Sequence, residues 1–280
     1  MNERHSTRGL VKEREAVRIS GLAHLTEMKT FAGMLRANRA IIEELEFPGW
    51  LKFLLPYDRR DQATLTSVEQ SRYLCAFDVV NANGTLGALC DIHADMSQMQ
   101  HTNDRLLPWH RIFLLIFEQA LRAVHPDVAV PYWDWTQPGE ESVPGWLAGV
   151  TPTVVTPTRT IHVTRAPSAT SDLAAIASNV PSILAMDDFE DFAANMNAVH
   201  GGVHIWVGGS MSLVSDSPAD PIFWMHHANL DRLWWVWHSE SGHGGENPPL
   251  SGTSANMDPW WPPYAEPETR DIEALGYVYA

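Results

Sequence analysis

The sequence predicts a mainly α-helical protein with little β structure. Leu22, Leu25, Met28, Phe31 and Leu35 recur at three- and four-residue steps, the stripe of a helix with one face in a core. WHRIFLLIFEQALRAV follows Pro108, and IFWMHHANLDRLWWVWH follows Asp220-Pro221. Both runs are apolar on nearly every side, which suits helices buried all round.

In chain order, residues 17 to about 45 read as the first helix, and Pro48 and Pro56 open a loop after it. Residues 67 to about 81 read as a second helix, and 88 to 99 as a weaker helical stretch carrying His93. Pro108 suits a first helical turn, because its missing N–H would have no partner there anyway. Residues 136 to about 171 are rich in Pro, Thr and Gly and read as a long surface excursion. Residues 187 to 206 read as helix, then a Gly- and Ser-rich loop. Asp220-Pro221 is a helix start, an N-cap side chain followed by proline. The tail from Gly242, with Pro248, Pro249, Pro262 and Pro263, reads as loop. No internal repeat is visible. The two halves are expected to form one domain over 1–280, because the histidines of the second half look like partners of those in the first.

Composition narrows the classes. With 45% hydrophobic residues and twelve tryptophans, the chain can bury a large core. Its formal net charge of −15 argues against nucleic acid and against a basic membrane-binding patch. No apolar run approaches the ~20 residues a bilayer span needs. Two cysteines, Cys75 and Cys90, exclude a disulfide framework and are expected as free, buried thiols. The first twenty residues lack the apolar stretch of a signal peptide. The expected location is therefore cytoplasmic, with export alongside a partner protein as the alternative.

The chemistry sits in two histidine clusters: His93, His101 and His110, then His200, His204 and His227. His200 and His204 are four apart, so on a helix both rings leave one face. An imidazole buried without a partner costs about 1–3 kcal/mol, and metal coordination satisfies it. Neither cluster holds cysteine or an obvious carboxylate ligand, which argues against structural zinc and di-iron carboxylate sites. All-imidazole ligation suits copper or zinc, and three ligands per ion leave a coordination position open.

HTNDRLLPWHRIFLLIFE resembles the first copper motif of the tyrosinase and polyphenol oxidase family, and DPIFWMHHANLD resembles the second. PYWDWT, HGGVHIWVGG and the terminal LGYVYA are similar to further segments of that family. The resemblance covers about 90 to 280. It implies a central four-helix bundle holding a dinuclear, type-3 copper site, in a short form without a C-terminal covering domain. It implies two copper ions, with His93, His101 and His110 on one and His200, His204 and His227 on the other. In this second motif the later of the paired histidines is the ligand, so His226 becomes a neighbour behind the site. Asp231 is expected to fix local orientation and Glu118 to be structural. Arg18 resembles the N-terminal arginine that meets Tyr277 and Tyr279.

The chain departs from the family's usual pattern in several places. His93 lies eight residues before His101, closer than the family's first ligand usually does. Leu106 replaces a phenylalanine, implying looser packing beside the metal, and Met99 stands where many members have a cysteine, so no Cys–His thioether is expected. Gly201 follows His200 where strong monophenol hydroxylases have Asn. Met196 offers no carboxylate one turn before His200, while Glu190 and Asp191 are taken as near enough to supply one. Gly201, Glu190, Asp191 and Val214 are the substrate-tuning candidates. His238 is expected to cap a helix or face solvent, and His5, His24, His125, His162 and His243 to be loop or surface residues. Trp234, Trp235 and Trp237 are expected in the core.

The resemblance implies an enzyme that uses O2 as co-substrate to oxidise o-diphenols or o-aminophenols to o-quinones or quinone imines, with monophenol ortho-hydroxylation as a further activity. The partners are then a small phenol and dioxygen, with a copper chaperone as a candidate. The alternatives are a haemocyanin-like oxygen carrier and, behind it, a zinc hydrolase.

Overall fold

The structure, a computed structural model, describes residues 57–240, 242–260 and 263–280. The helix expected over 17–45, Arg18, His5 and His24 lie outside the described residues.

Helix α1 (Ser67–Ala82) opens on a capping box: Glu69 N–H donates to Thr66 Oγ1, and Thr66 N–H donates to Glu69 Oε2 at 2.8 Å. Two of the free N–H groups of the first turn are thereby satisfied. Tyr73, Ala76, Phe77 and Val80 form its buried stripe. Helix α2 (Thr85–Ala94) starts after Gly84, whose φ of +83° favours glycine. It buries Leu86, Leu89, Cys90 and His93 on one face. That periodicity carries His93 inward.

Helix α3 (Asn103–Val124) is the axis of the fold. It begins five residues before Pro108, which lies in its second turn and not at its start. The correction has a simple cause: only the Asp104 carbonyl loses a helical partner, and it lies near the helix end.

The excursion expected on the surface is partly core. It forms an antiparallel hairpin of β2 (Thr153–Val155) and β3 (Thr160–His162), with Tyr57–Arg59 counted as β1. Leu147, Val154, Ile161 and Val163 are buried, because the hairpin lies against α2. A Cβ on Gly87 would stand 2.1 Å from the Val155 carbonyl oxygen, so only glycine permits this approach. Cys75 also departs from expectation: it is exposed on α1, whereas Cys90 is buried, and both are free.

Helices α4 (Thr170–Ala177) and α5 (Val180–Leu184) lead into α6 (Phe189–Val207), which packs on α3. Asp220 caps α7 (Pro221–Trp235) by accepting from Ile222 N–H, as its sequence signals. A single π-helical turn, Val236–Glu240, follows. Trp234 and Trp237 are fully buried and Trp235 half-buried. The tail is not all loop. It ends in α8 (Ile272–Leu275) and β4 (Tyr277–Tyr279), and β4 pairs in parallel with β1 so that Tyr57 faces Tyr277 and Arg59 faces Tyr279. Helices α2, α3, α6 and α7 make the mainly helical bundle expected from the sequence. Among the described residues, no helix is long and apolar enough to cross a membrane.

A buried ion network clamps α3 to α7. Arg59 bonds Glu118 of α3 at 2.8 Å and Asp231 of α7 at 3.1 Å. Arg111, beside His110, also pairs with Asp231. Tyr277 and Tyr279 donate their hydroxyls to Asp231 at 2.7 and 2.5 Å. The guanidinium of Arg59 lies 3.6 Å above the Tyr277 ring. Glu118 is structural, as expected, and also accepts from Val130 N–H at 2.7 Å. Burial would raise the Asp231 carboxyl, but Arg111 and Arg59 hold it below its ordinary range. Among the described residues, the arginine that meets Tyr277 and Tyr279 is Arg59.

Arg59→Met should destabilise the protein by about 3–5 kcal/mol, because Glu118 and Asp231 lose a buried counter-charge. Arg60→Ala, which breaks a half-exposed pair with Glu69, should cost no more than about 1 kcal/mol. Urea denaturation of both variants checks this, and equal midpoints would contradict it.

Candidate dinuclear metal centre

Four helices and one turn deliver six imidazoles to one interior region. His93 comes from the last turn of α2, and His101 from the turn just before α3. His110 follows on α3, His200 and His204 lie on one face of α6, and His227 sits on α7. Within the first triad, His93 Nε2 lies 3.1 Å from His101 Nε2 and 3.3 Å from His110 Nε2. Within the second, His227 Nε2 lies 3.3 Å from His200 Nε2 and 3.2 Å from His204 Nε2. The triads abut: the His110 and His227 rings stack with centroids 4.4 Å apart and planes at 12°. His93, despite its short spacing from His101, belongs to its triad as fully as the other two.

Hydrogen bonds fix which nitrogen faces inward. His93 Nδ1 bonds the Val214 carbonyl, His110 Nδ1 the Leu106 carbonyl and His204 Nδ1 the Met211 carbonyl, each at 2.8 Å. A carbonyl oxygen only accepts, so these three rings carry the proton on Nδ1 and point a lone pair inward from Nε2. His93 and His110 therefore face one another lone pair to lone pair. In the second triad His227 Nε2 can donate to one neighbour at most, which leaves the other contact equally unsatisfied. A cation between the nitrogens turns each repulsion into a bond. Two imidazoles bound tetrahedrally to one ion at about 2.0–2.1 Å stand about 3.3–3.4 Å apart, close to the separations seen here. The donor set, all imidazole with no thiolate or carboxylate, fits copper or zinc.

His226 lies near the second triad but is already committed. Its Nδ1 accepts from Trp135 Nε1 at 3.0 Å, so the proton resides on Nε2 and no lone pair is free for a metal. The PYWDWT segment thus sorts the paired histidines, with His227 facing the centre and His226 turned to Trp135.

The loop after α6 supplies a partner to each triad. Gly208 and Gly209 have φ of +67° and +56°, and a Cβ on either would meet the Ala166 or Thr164 carbonyl at 2.7 or 2.1 Å. These glycines let the loop turn back, so that the Met211 and Val214 carbonyls reach His204 and His93. Val214 touches the site through its carbonyl while its side chain is exposed. Trp109, Phe113 and Phe223 wall the centre, with Phe113 stacked on His93 at 5.6 Å and Phe223 packed on His227 at 4.2 Å. Leu106, buried in place of the usual phenylalanine, serves through its backbone. Asp231 makes no hydrogen bond to His227; it orients α7 through the ion network.

Glu190 and Asp191 do not reach His200. They lie in the first turn of α6, exposed, and nine or ten residues of continuous helix correspond to about 13–15 Å of rise. Gly201 is half-buried, and a Cβ there would meet nothing within 4 Å. The side chain that does reach His200 is Asn197, whose Oδ1 lies 3.3 Å from Nδ1. The sequence gives Asn197 only one hint, its place one turn before Gly201. Among the remaining histidines, His238 bonds Asn247 and His243 stacks on Trp237 at 4.7 Å.

The comparisons with known proteins agree with this geometry. The model described as the common central domain of tyrosinase matches residues 83–173 and 156–240. A tyrosinase of Streptomyces antibioticus is 31% identical over 252 residues, covering 72% of this chain and 92% of that protein. The chain belongs to the tyrosinase family. It is accordingly a dicopper oxidoreductase of the type-3 copper group. An A-type hemocyanin of Enteroctopus dofleini (units Ode to Odg) is 32% identical over 158 residues, which is 48% of this tyrosinase-family chain and 13% of that protein. In fold, it is similar to a tyrosinase from Burkholderia thailandensis, with a TM-score of 0.66 and 17% identity, over 80% of this chain and 74% of that one.

Burial, reinforced by neighbouring imidazoles, holds His93, His110, His200 and His227 well below the ordinary imidazole range. Burial alone brings His101 down to about 4, and burial of His204 brings it to the same value. The imidazoles therefore stay uncharged well below neutrality. Between about pH 6.5 and about pH 4 the unfolded chain takes up protons that the folded site resists, so stability of the metal-free protein falls as pH falls. Melting temperatures across that window should decline steadily with acidification. A flat profile would contradict the burial of neutral imidazoles.

Proposed function

We propose that this protein oxidises o-diphenols or o-aminophenols to o-quinones or quinone imines with O2. His93, His101 and His110 would hold one copper, and His200, His204 and His227 the other. The observation that carries the reading is the pair of abutting triads, each with its Nε2 atoms 3.1–3.3 Å apart. When bound, the copper pair supplies redox capacity that takes two electrons from the phenol and delivers them to O2. Each diphenol also gives up two protons, so two turnovers reduce one O2 to two waters.

The chain's own residues supply the rest. Carbonyls of Leu106, Met211 and Val214 hold three imidazoles in one tautomer, which orients them before any metal arrives. Trp109, Phe113 and Phe223 keep bulk water from the inner side. Among the described residues the outer side is the more exposed: His101 and His204 are half-buried, and Leu213 and Val214 are exposed at 53% and 45%. A small aromatic ring can approach past these apolar side chains. That access favours an enzyme over the haemocyanin-like carrier, the second reading that partial likeness to hemocyanin units supports. A copper chaperone is a candidate partner for loading the site.

Catechol incubated with copper-loaded protein should develop quinone absorbance; none would leave the carrier reading standing. Metal analysis finding zinc in active protein would instead favour a hydrolase.

Gly201 supplies no carboxamide at the position after His200, and that of Asn197 is engaged by His200, His101 and Asn103, so oxidation of dopamine should run well ahead of hydroxylation of tyramine. Comparable rates would contradict this. Gly201→Asn, for which there is open space, should raise the tyramine rate relative to dopamine, and an unchanged ratio would remove Gly201 as a determinant.

A further inference from the structure

The Nδ1 atoms of the six imidazoles are not held alike. Three bond main-chain carbonyls, and those of His101 and His227 have no partner among the described residues. Only His200 depends on a side chain, that of Asn197. The Asn197 carboxamide also spans the two triads. Its Nδ2 donates to the His101 carbonyl at 3.3 Å and to Asn103 Oδ1 at 2.8 Å.

This arrangement has one consistent reading. The His101 carbonyl can only accept, so the Asn197 amino group must face it and the carboxamide oxygen must face His200. His200 must then donate from Nδ1 and present its lone pair from Nε2, toward His227. The tautomer of a ligand in the second triad is thus set by the backbone of a ligand in the first. The link passes through a single side chain, so replacing Asn197 can cut it.

We propose that Asn197 is a positioning residue that couples the two metal sites, fixing His200 for its metal by reference to the His101–Asn103 turn. The proposal rests on the reading of the two triads as copper sites. Without Asn197, His200 can rotate or shift its proton to Nε2, and the second triad drops to two prepared ligands. The first triad keeps the carbonyl bonds of His93 and His110, so the loss falls on one ion.

The experiment is a copper titration of metal-free protein against a competing chelator, read by bound copper and by electron paramagnetic resonance. Wild-type, Asn197→Ala and Asn197→Asp are compared, with Asn195→Ala as an exposed control on the same helix. The wild type should take up two coppers and, as a coupled Cu(II) pair, give little signal. Asn197→Ala should bind the second copper about 10–100-fold more weakly and show a mononuclear Cu(II) signal when half-loaded. Asn197→Asp keeps an acceptor toward His200 and should recover most of the second-site affinity; if the alanine variant does not fold, this variant carries the test through the first site, where its carboxylate repels the His101 carbonyl and should lower affinity. Two coppers bound to Asn197→Ala with wild-type affinity would overturn the proposal. Equal weakening of both sites would also overturn it, since that marks a general packing role. A wild-type protein that binds fewer than two coppers would instead remove the underlying copper reading.

Discussion

The structure turns on one electrostatic constraint: in each triad buried Nε2 atoms stand 3.1–3.3 Å apart, and at least one contact per triad has no proton to bridge it. In the interior such contacts repel, and protonation cannot relieve them because burial holds the imidazoles neutral. A metal ion held by each triad would turn these contacts into bonds, and the surrounding fold keeps the imidazoles oriented for it. Much of its architecture serves that end, as is common where backbone and side-chain geometry are set for binding.

The restraint comes from behind the centre. Arg111 follows His110 on α3, and Asp231 lies one turn past His227 on α7, so their ion pair locks the two helices whose histidines stack. Arg59 extends the lock to Glu118, and through β1 and β4 it draws the C-terminal strand into the same network. On the other side, the loop after α6 folds back through Gly208 and Gly209 to offer carbonyls to both triads. Four of the six imidazoles are thus held from their outer edge, which leaves their Nε2 atoms facing inward.

Much of this was legible in the sequence, because helix periodicity and capping are local. The helical stretch read over 88–99, observed over Thr85–Ala94, and the Asp220-Pro221 start both place histidines without tertiary information. All six site histidines could be named because the segments around them resemble the two copper motifs, although His101 lies in a polar turn. What was not legible depends on contacts distant in sequence. Arg59 meets Asp231 across 172 positions, and nothing local marks it out. Glu190 and Asp191 looked near His200 by count, yet an unbroken α6 carries them away. Asn197 looked ordinary, because its role needs the His101 carbonyl beside it. The hairpin at 153–162 was hidden because Pro and Gly signal turns without saying which side is buried.

The most direct test of this account is a crystal structure of copper-loaded protein, with anomalous scattering recorded at the copper edge. Two copper peaks should appear, one among the Nε2 atoms of His93, His101 and His110 and one among those of His200, His204 and His227. His226 should remain on Trp135. A single copper, or an ion bound by His226 in place of a triad member, would contradict the account.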